Sequence, residues 1–360
     1  MTKIIAFHLP QFHSIPENDE WWGKGFTEWV NTKKAKPLYK NHIQPKEPLN
    51  DNYYNMLDKE TLKWQCDLST KYGIYGFCYY HYWFNGKLLL EKPVENLLQY
   101  KDINQKFCFC WANEPWTRAW DGAEQNVLIN QLYGDEEDWK NHFEYLLKFF
   151  KDERYILIDN KPVLVIYRTS NIDKCDEMIG FWDQLCIENG FDGIYVVEEK
   201  NSFQDKSYCM NSKAIVEFEP MYTVMCKRNL FEKIRDKIIR TWQNCIQDNK
   251  LRIFYYDKVW KNILNRKIEN TDKKQFLGAF VDWDNTARKN KNGMVIKGAN
   301  PEKFQKYLDK QVKRAENINS EFVFVNAWNE WGEGTYLEPD KYNKFGYLEA
   351  IKKVVDNNVR

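Results

Sequence analysis

Short apolar runs, each followed by a longer amphipathic stretch, alternate along the whole chain. Eight of the runs read as β-strands: residues 3–8, 74–80, 106–111, 162–168, 193–198, 214–219, 276–282 and 321–326. They are β-branched or aromatic and mostly lack in/out alternation, as expected of strands covered on both faces. Between them, helical periodicity runs over residues 58–72, 88–101, 135–151, 174–189, 229–247, 301–317 and 347–357. Asp135, Glu136, Glu137 and Asp138 place acids in one first turn, where they oppose the helix dipole. Pro301 behind Asn300 has the form of a capped helix start.

Eight strand–helix units predict an α/β fold, a single-domain (β/α)8 TIM barrel with long loops at its C-terminal face. The strand exits are the stronger reason. In order they run into His8, Tyr80-His81-Tyr82, Asn113-Glu114, Tyr167-Arg168, Glu198-Glu199, Glu217-Phe218-Glu219, Asp282-Trp283-Asp284 and Asn326 to Glu330. A barrel gathers all of these at one rim, where active sites of this fold lie. An open sheet would converge only those near its switch point. The chain of 360 residues exceeds a minimal barrel of roughly 250, and the excess falls in loop insertions around 9–55 and 226–272. The first, rich in Pro and Trp, is expected over the catalytic face. The second is basic and reads as a solvated helical face, the alternative being a site for an anionic sugar or lipid phosphate. No linker or fixed-period repeat divides residues 1–360, which read as one catalytic domain.

Charge and composition narrow the function classes. A formal net charge of +1 gives no reason to expect a nucleic-acid or anionic-membrane partner. No apolar run is long enough to make a transmembrane segment, and the apolar part of the N-terminus is too short for a signal peptide. The expected location is cytoplasmic. Nine cysteines without a C-x-x-C pair suit buried thiols in a reducing compartment. Most of the 15 Trp, 22 Tyr and 22 Phe belong in a core. The clusters at Trp21-Trp22, residues 79–84 and residues 111–120 also suit stacking against sugar rings. His8, His13, His42, His81 and His142 have no metal-ligand spacing, so no metal is expected. No phosphate-binding or dinucleotide glycine motif points to a cofactor, and no G-x-S-x-G elbow to an acyl-transfer serine.

The chemistry concentrates near the end of the chain. Residues 322–335 open as an apolar run and turn polar at Asn329-Glu330-Trp331-Gly332-Glu333-Gly334. Glycosidic cleavage needs a proton donor on the leaving oxygen and a second carboxylate across the anomeric carbon. Glu330 and Glu333 are the catalytic candidates, and Gly332 and Gly334 let the backbone turn so that both reach one cavity. Loop glutamates commonly serve instead as caps or surface salt bridges. The flanking Trp328 and Trp331 and the other polar strand exits weigh toward catalysis. Candidate substrate-binding residues are His81, Tyr82, Asn113, Glu114, Trp116, Tyr167, Glu219, Trp283, Asp284, Trp328 and Asn329. Carboxylates and amides would bind vicinal hydroxyls, and aromatic rings would stack on the sugar. Glu198, Glu217 and Asp282 are given similar hydroxyl-binding roles.

Four segments together resemble one family: FHLPQFHSIPENDEWWGKGFTEW (7–29), CWANEPWTRAWDG (110–122), VDWDNTAR (281–288) and AWNEWGEGTYLEPD (327–340). They resemble WbsX-like proteins of bacterial polysaccharide biosynthesis loci, which are similar in turn to the endo-α-mannosidases of glycoside hydrolase family 99. Pro115 departs from the expected Asn between Glu114 and Trp116. The resemblance implies that Glu330 deprotonates the substrate's own 2-hydroxyl and that Glu333 is the acid/base on the leaving group. The resemblance further implies that the 2-oxygen attacks the anomeric carbon as the protonated leaving group departs, giving a 1,2-anhydro sugar that water opens with net retention. Gly332 between the acids is expected to widen the pocket. The leading expectation is therefore a retaining glycoside hydrolase or transglycosylase acting on an α-linked oligo- or polysaccharide. A glycosyltransferase of lipopolysaccharide or capsule assembly is second, and a non-catalytic carbohydrate-binding protein third.

Overall fold

The computed structural model describes residues 1–118, 123–227 and 250–358. Eight parallel strands close on themselves: β1 Lys3–His8, β2 Gly76–Phe84, β3 Lys106–Trp111, β4 Lys161–Ile166, β5 Tyr195–Lys200, β6 Ala214–Glu217, β7 Lys274–Phe280 and β8 Phe322–Asn326. Each pairs with its sequence neighbour, and β1 pairs with both β2 and β8, so the sheet has no edge. The fold is the expected (β/α)8 barrel. Its strands are buried on both faces because helices cover the outside and aromatic rings fill the inside. Phe7 on β1 meets Tyr80, Phe218 and Phe324 at 5.3–5.8 Å between ring centroids, spanning the barrel interior.

The helices form where periodicity and caps agree. Helix Glu136–Phe150 starts at Asp135, whose carboxylate accepts from the amides of Glu137 and Asp138. Helix Pro301–Asn317 starts at Asn300, whose side chain accepts from the Lys303 amide. Helices Lys59–Lys71, Cys175–Glu188 and Gly346–Asn358 likewise fall within a residue or two of the sequence reading.

Three differences have local causes. β2 runs on to Phe84 and returns through Lys87–Leu89, so the next helix begins only at Lys92. Asn85 and Gly86 both have positive φ and form the two-residue hairpin turn that an Asn-Gly pair favours. The basic insertion contains helix Tyr256–Asn265, which buries Tyr256, Val259, Trp260 and Ile263 at helical spacing against the barrel. That stretch is therefore partly core and not a solvated face. Between β5 and β6 no helix forms. There the buried Glu198 accepts from Thr169, Ser212, the amides of Tyr208 and Cys209, and Lys273, and this network packs the loop in place of a helix. The helix expected over 229–247 lies outside the described residues, as do residues 119–122 of the 110–122 segment.

Candidate active site

β8 delivers its carboxylates through a tight turn. After Asn326 the chain forms a short antiparallel pair, Asn329–Glu330 with Thr335–Tyr336, joined by the 3-10 turn Trp331–Glu333. Gly334 closes the turn in the left-handed region, at φ 64°, and a Cβ there would lie within 3.0 Å of Asp284 backbone and side-chain atoms. The turn is tied down by hydrogen bonds from Leu337 to Ala327 and Trp328, and from the Asp284 amide to the Glu333 carbonyl.

A cleft of about 350 Å³ opens at this rim. Glu330 and Glu333 both line it, with Leu9, Tyr80, Tyr82, Glu114, Trp116, Tyr167, Phe203, Phe218, Trp283 and Arg288. Arg288 organises the acids. Its Nη2 donates to Glu330 at 3.0 Å, its Nη1 to Glu333 at 2.8 Å and its Nε to Glu28 at 3.0 Å. The two contacts bring one oxygen of each carboxylate to the same guanidinium, so both acids face one stretch of the cleft wall.

Burial sets the electrostatics. Glu330 is pushed up to about 8 by burial, Arg288 pulling it down while Glu333 and Glu28 raise it further. Glu28, fully buried, is pushed up to about 7 by burial against the pull of Arg288. Burial alone would weaken Arg288 as a base, but the three carboxylates hold it above its usual range. Elsewhere in the lining, Glu114 is raised by burial and held by Arg168 at 2.6 Å, whose guanidinium lies 4.6 Å over the Phe203 ring.

The structure brings Tyr82, Glu114, Trp116, Tyr167 and Trp283 to the cleft and places the other candidates elsewhere. His81 faces outward from β2, buried against helix Glu136–Phe150. Its Nε2 lies 2.8 Å from His142 Nε2, and burial pushes its pKa down to about 3. Strand alternation is the reason, since Tyr80 and Tyr82 point inward. Asn113 is a brace, exchanging two 2.8 Å hydrogen bonds with the Arg168 backbone and so aiming Arg168 at Glu114. Glu219 is buried and neutralised by Arg266, which also holds Glu217. Asp284 accepts from His42 at 2.7 Å, Gln44 at 2.8 Å and Thr286 at 2.6 Å, a clamp under the loop that carries Arg288. Asp282 pairs with Lys46 at 3.5 Å.

Trp328 is buried and packs on Phe77, 4.9 Å between centroids. Asn329 bonds both backbone groups of Leu9. Trp331 is buried on Tyr336, with its indole nitrogen donating to Glu338. The two tryptophans that flank the acids in sequence are thus backing, and the aromatic lining comes from other strands.

Glu28 and Arg288 were missed as candidates, although both stand inside the segments 7–29 and 281–288. The signal available was Glu28 between Phe26 and Trp29-Val30, while Arg288 stands in a polar stretch, and the pair becomes informative only once the two segments are known to touch. Gly332 also differs from expectation. A Cβ there would stand 1.6 Å from Glu28 Oε1, so the glycine makes room for the Glu28–Arg288 pair and not for substrate. Among the described residues, no group of three or more His, Cys, Asp or Glu side chains is placed to hold a metal, and no helix is long and apolar enough to cross a membrane.

A closed parallel barrel with two carboxylates on one cleft at its C-terminal rim places the chain in the (β/α)8 fold class. Its fold is similar to that of a glycoside hydrolase-like protein (TM-score 0.62, 14% identity, covering 98% of this chain and 93% of that one). It is also similar to that of the GH99 endo-alpha-mannosidase from Bacteroides thetaiotaomicron (TM-score 0.55, 13% identity, covering 98% and 96%). The chain belongs to the glycosyltransferase WbsX family, whose profile matches residues 4–351. It is 31% identical over 361 positions to the uncharacterized protein WxcX of Xanthomonas campestris pv. campestris, a match that covers 98% of this chain. The chain spans about half the length of the curated relatives it matches, 50% of each.

Proposed function

We propose that this chain is a retaining glycoside hydrolase or transglycosylase acting on an α-linked, manno-configured bacterial glycan, with Glu330 and Glu333 as its catalytic pair. The observation that supports this most directly is the meeting of both carboxylates with one guanidinium on one cleft wall. In the proposed reaction Glu330 takes the proton from the substrate's 2-hydroxyl, and O2 forms a bond to C1. The bond from C1 to the leaving oxygen breaks as Glu333 protonates that oxygen. Water or an acceptor hydroxyl then attacks C1, giving its proton to Glu333, while the C1–O2 bond breaks and O2 recovers its proton from Glu330. Two inversions give net retention, and an axial 2-hydroxyl opposite an axial leaving group is the alignment that the first step requires. A base with a midpoint near 8 suits this work, because a sugar hydroxyl is a weak acid and transfer improves as the base strengthens. Tyr82, Trp116, Tyr167 and Trp283 offer rings and hydroxyls to the sugar.

A glycosyltransferase is the second reading, favoured by the family's description. One experiment separates the two. The purified protein is incubated with capsule and O-antigen polysaccharides, products are followed by mass spectrometry, and sugar nucleotides are titrated calorimetrically. The hydrolase reading expects wild-type cleavage, glycan binding without turnover by Glu333→Gln, and no sugar-nucleotide binding. Tight nucleoside-diphosphate binding with no cleavage would replace it with the transferase.

A further inference from the structure

Glu28 lies behind the cleft wall, buried and without contact with the cavity, yet it holds the third arm of Arg288. Helix Glu28–Lys34 packs against helix Thr286–Lys289 and the turn Trp331–Glu333. These are the segments that carry Arg288 and the catalytic turn. With Nη1 and Nη2 engaged by Glu333 and Glu330, the bond from Nε to Glu28 leaves the guanidinium plane no free rotation. Gly332 lets the Glu28 carboxyl approach this closely, since any side chain there would displace it. Glu28 Oε2 is buried with no hydrogen-bond partner, an arrangement that costs a charged carboxylate more than a neutral acid.

We propose that Glu28 is a positioning residue for the reaction: it fixes the plane of Arg288 and couples its own ionisation to that of Glu330. This rests on the reading of Glu330 and Glu333 as the catalytic pair. The charged and titratable groups facing Glu28 are Arg288, from a helix that also carries Lys289 on the cavity lining, Glu330 and Glu333 from the turn after β8, and Tyr82 from β2. Tyr82 is held protonated by burial and by Glu330. Burial raises both Glu28 and Glu330, and a negative charge on Glu28 opposes loss of the Glu330 proton. Glu28 thus keeps Glu330 a stronger base than burial alone would make it, while Arg288 keeps both acids oriented.

The test is Glu28→Gln, whose amide oxygen still accepts from Arg288 Nε but carries no charge. Glutamate carboxyl carbons of substrate-free protein are titrated by 13C NMR, with Glu330→Gln assigning the Glu330 resonance. The Glu330 midpoint should fall by about one pH unit in Glu28→Gln. The acidic limb of kcat/KM, which reports the base, should fall with it. Glu28→Ala, which also frees the guanidinium, should lose a further tenfold or more in kcat/KM relative to Glu28→Gln. A Glu330 midpoint that rises in Glu28→Gln, or moves by less than about 0.2 unit, would show that Glu28 only fills space. The NMR titration needs no turnover, so it decides the coupling even if the glycosidase reading fails.

Discussion

Replacing Gly332 with alanine tests whether the turn Trp331–Glu333, Glu28 and Arg288 are one packed unit. The added Cβ would stand 1.6 Å from Glu28 Oε1 and 2.8 Å from both Glu28 Cδ and Arg288 Nε. The Glu28 oxygen would have to retreat by more than about 1.5 Å to reach ordinary contact. Flexible side-chain ends often move cheaply, but this one is fully buried and bonded to Arg288 at 3.0 Å. Losing a charge-assisted bond costs about 1.5–3 kcal/mol. Glu28 can take up a proton once it leaves Arg288, because its midpoint is already near 7, and this keeps the cost below that of a stranded charge. Alanine also lowers the entropy of the unfolded chain, returning about 0.4–1 kcal/mol. The expected net loss is about 2 kcal/mol, read from urea unfolding followed by tryptophan fluorescence. Glu28→Ala in the same chain opens the space the methyl needs, so the double mutant should be more stable than the sum of the singles by about 2 kcal/mol. Turnover should fall in the single Gly332→Ala variant, since Arg288 must tilt away from Glu330 and Glu333. A Gly332→Ala protein as stable as wild type, or a strictly additive pair, would refute the packing argument.

Two further outcomes follow from burial. Glu28, Glu330 and Glu338 are raised by burial to about 7, 8 and 7, so the folded state keeps protons that the unfolded chain has released. Their contribution to stability is complete below the ordinary glutamate pKa and is lost as pH rises through about 7–8. Tm should therefore drop between pH 5.5 and 8.5, less steeply in Glu28→Gln, and a flat profile in calorimetric scans would contradict this origin. His81→Ala should cost about 2–4 kcal/mol, from the cavity it leaves and from the loss of the His142 partner, with KM unchanged. A raised KM at unchanged stability would return His81 to the site.

Much of the architecture was legible in local sequence. Runs such as Phe322 to Val325 form strands buried on both faces whichever neighbours they meet, and Asp135 and Asn300 cap helices through atoms only two or three residues away. The Asn85-Gly86 turn was equally local but was outweighed by the helical periodicity that follows it. Glu330 and Glu333 stand three residues apart, so one turn of known residues carries both to the cleft. Tertiary structure alone decided what surrounds them. Glu28 and Arg288 are 260 positions apart, and strand alternation sends His81 outward and Tyr82 inward on the same strand. Trp328 read as a substrate-binding ring and Trp331 as an aromatic flanking the acids, yet both pack behind the turn. Secondary structure depends on interactions within a few residues, whereas ion pairing and burial depend on which distant segments the closed barrel sets against each other.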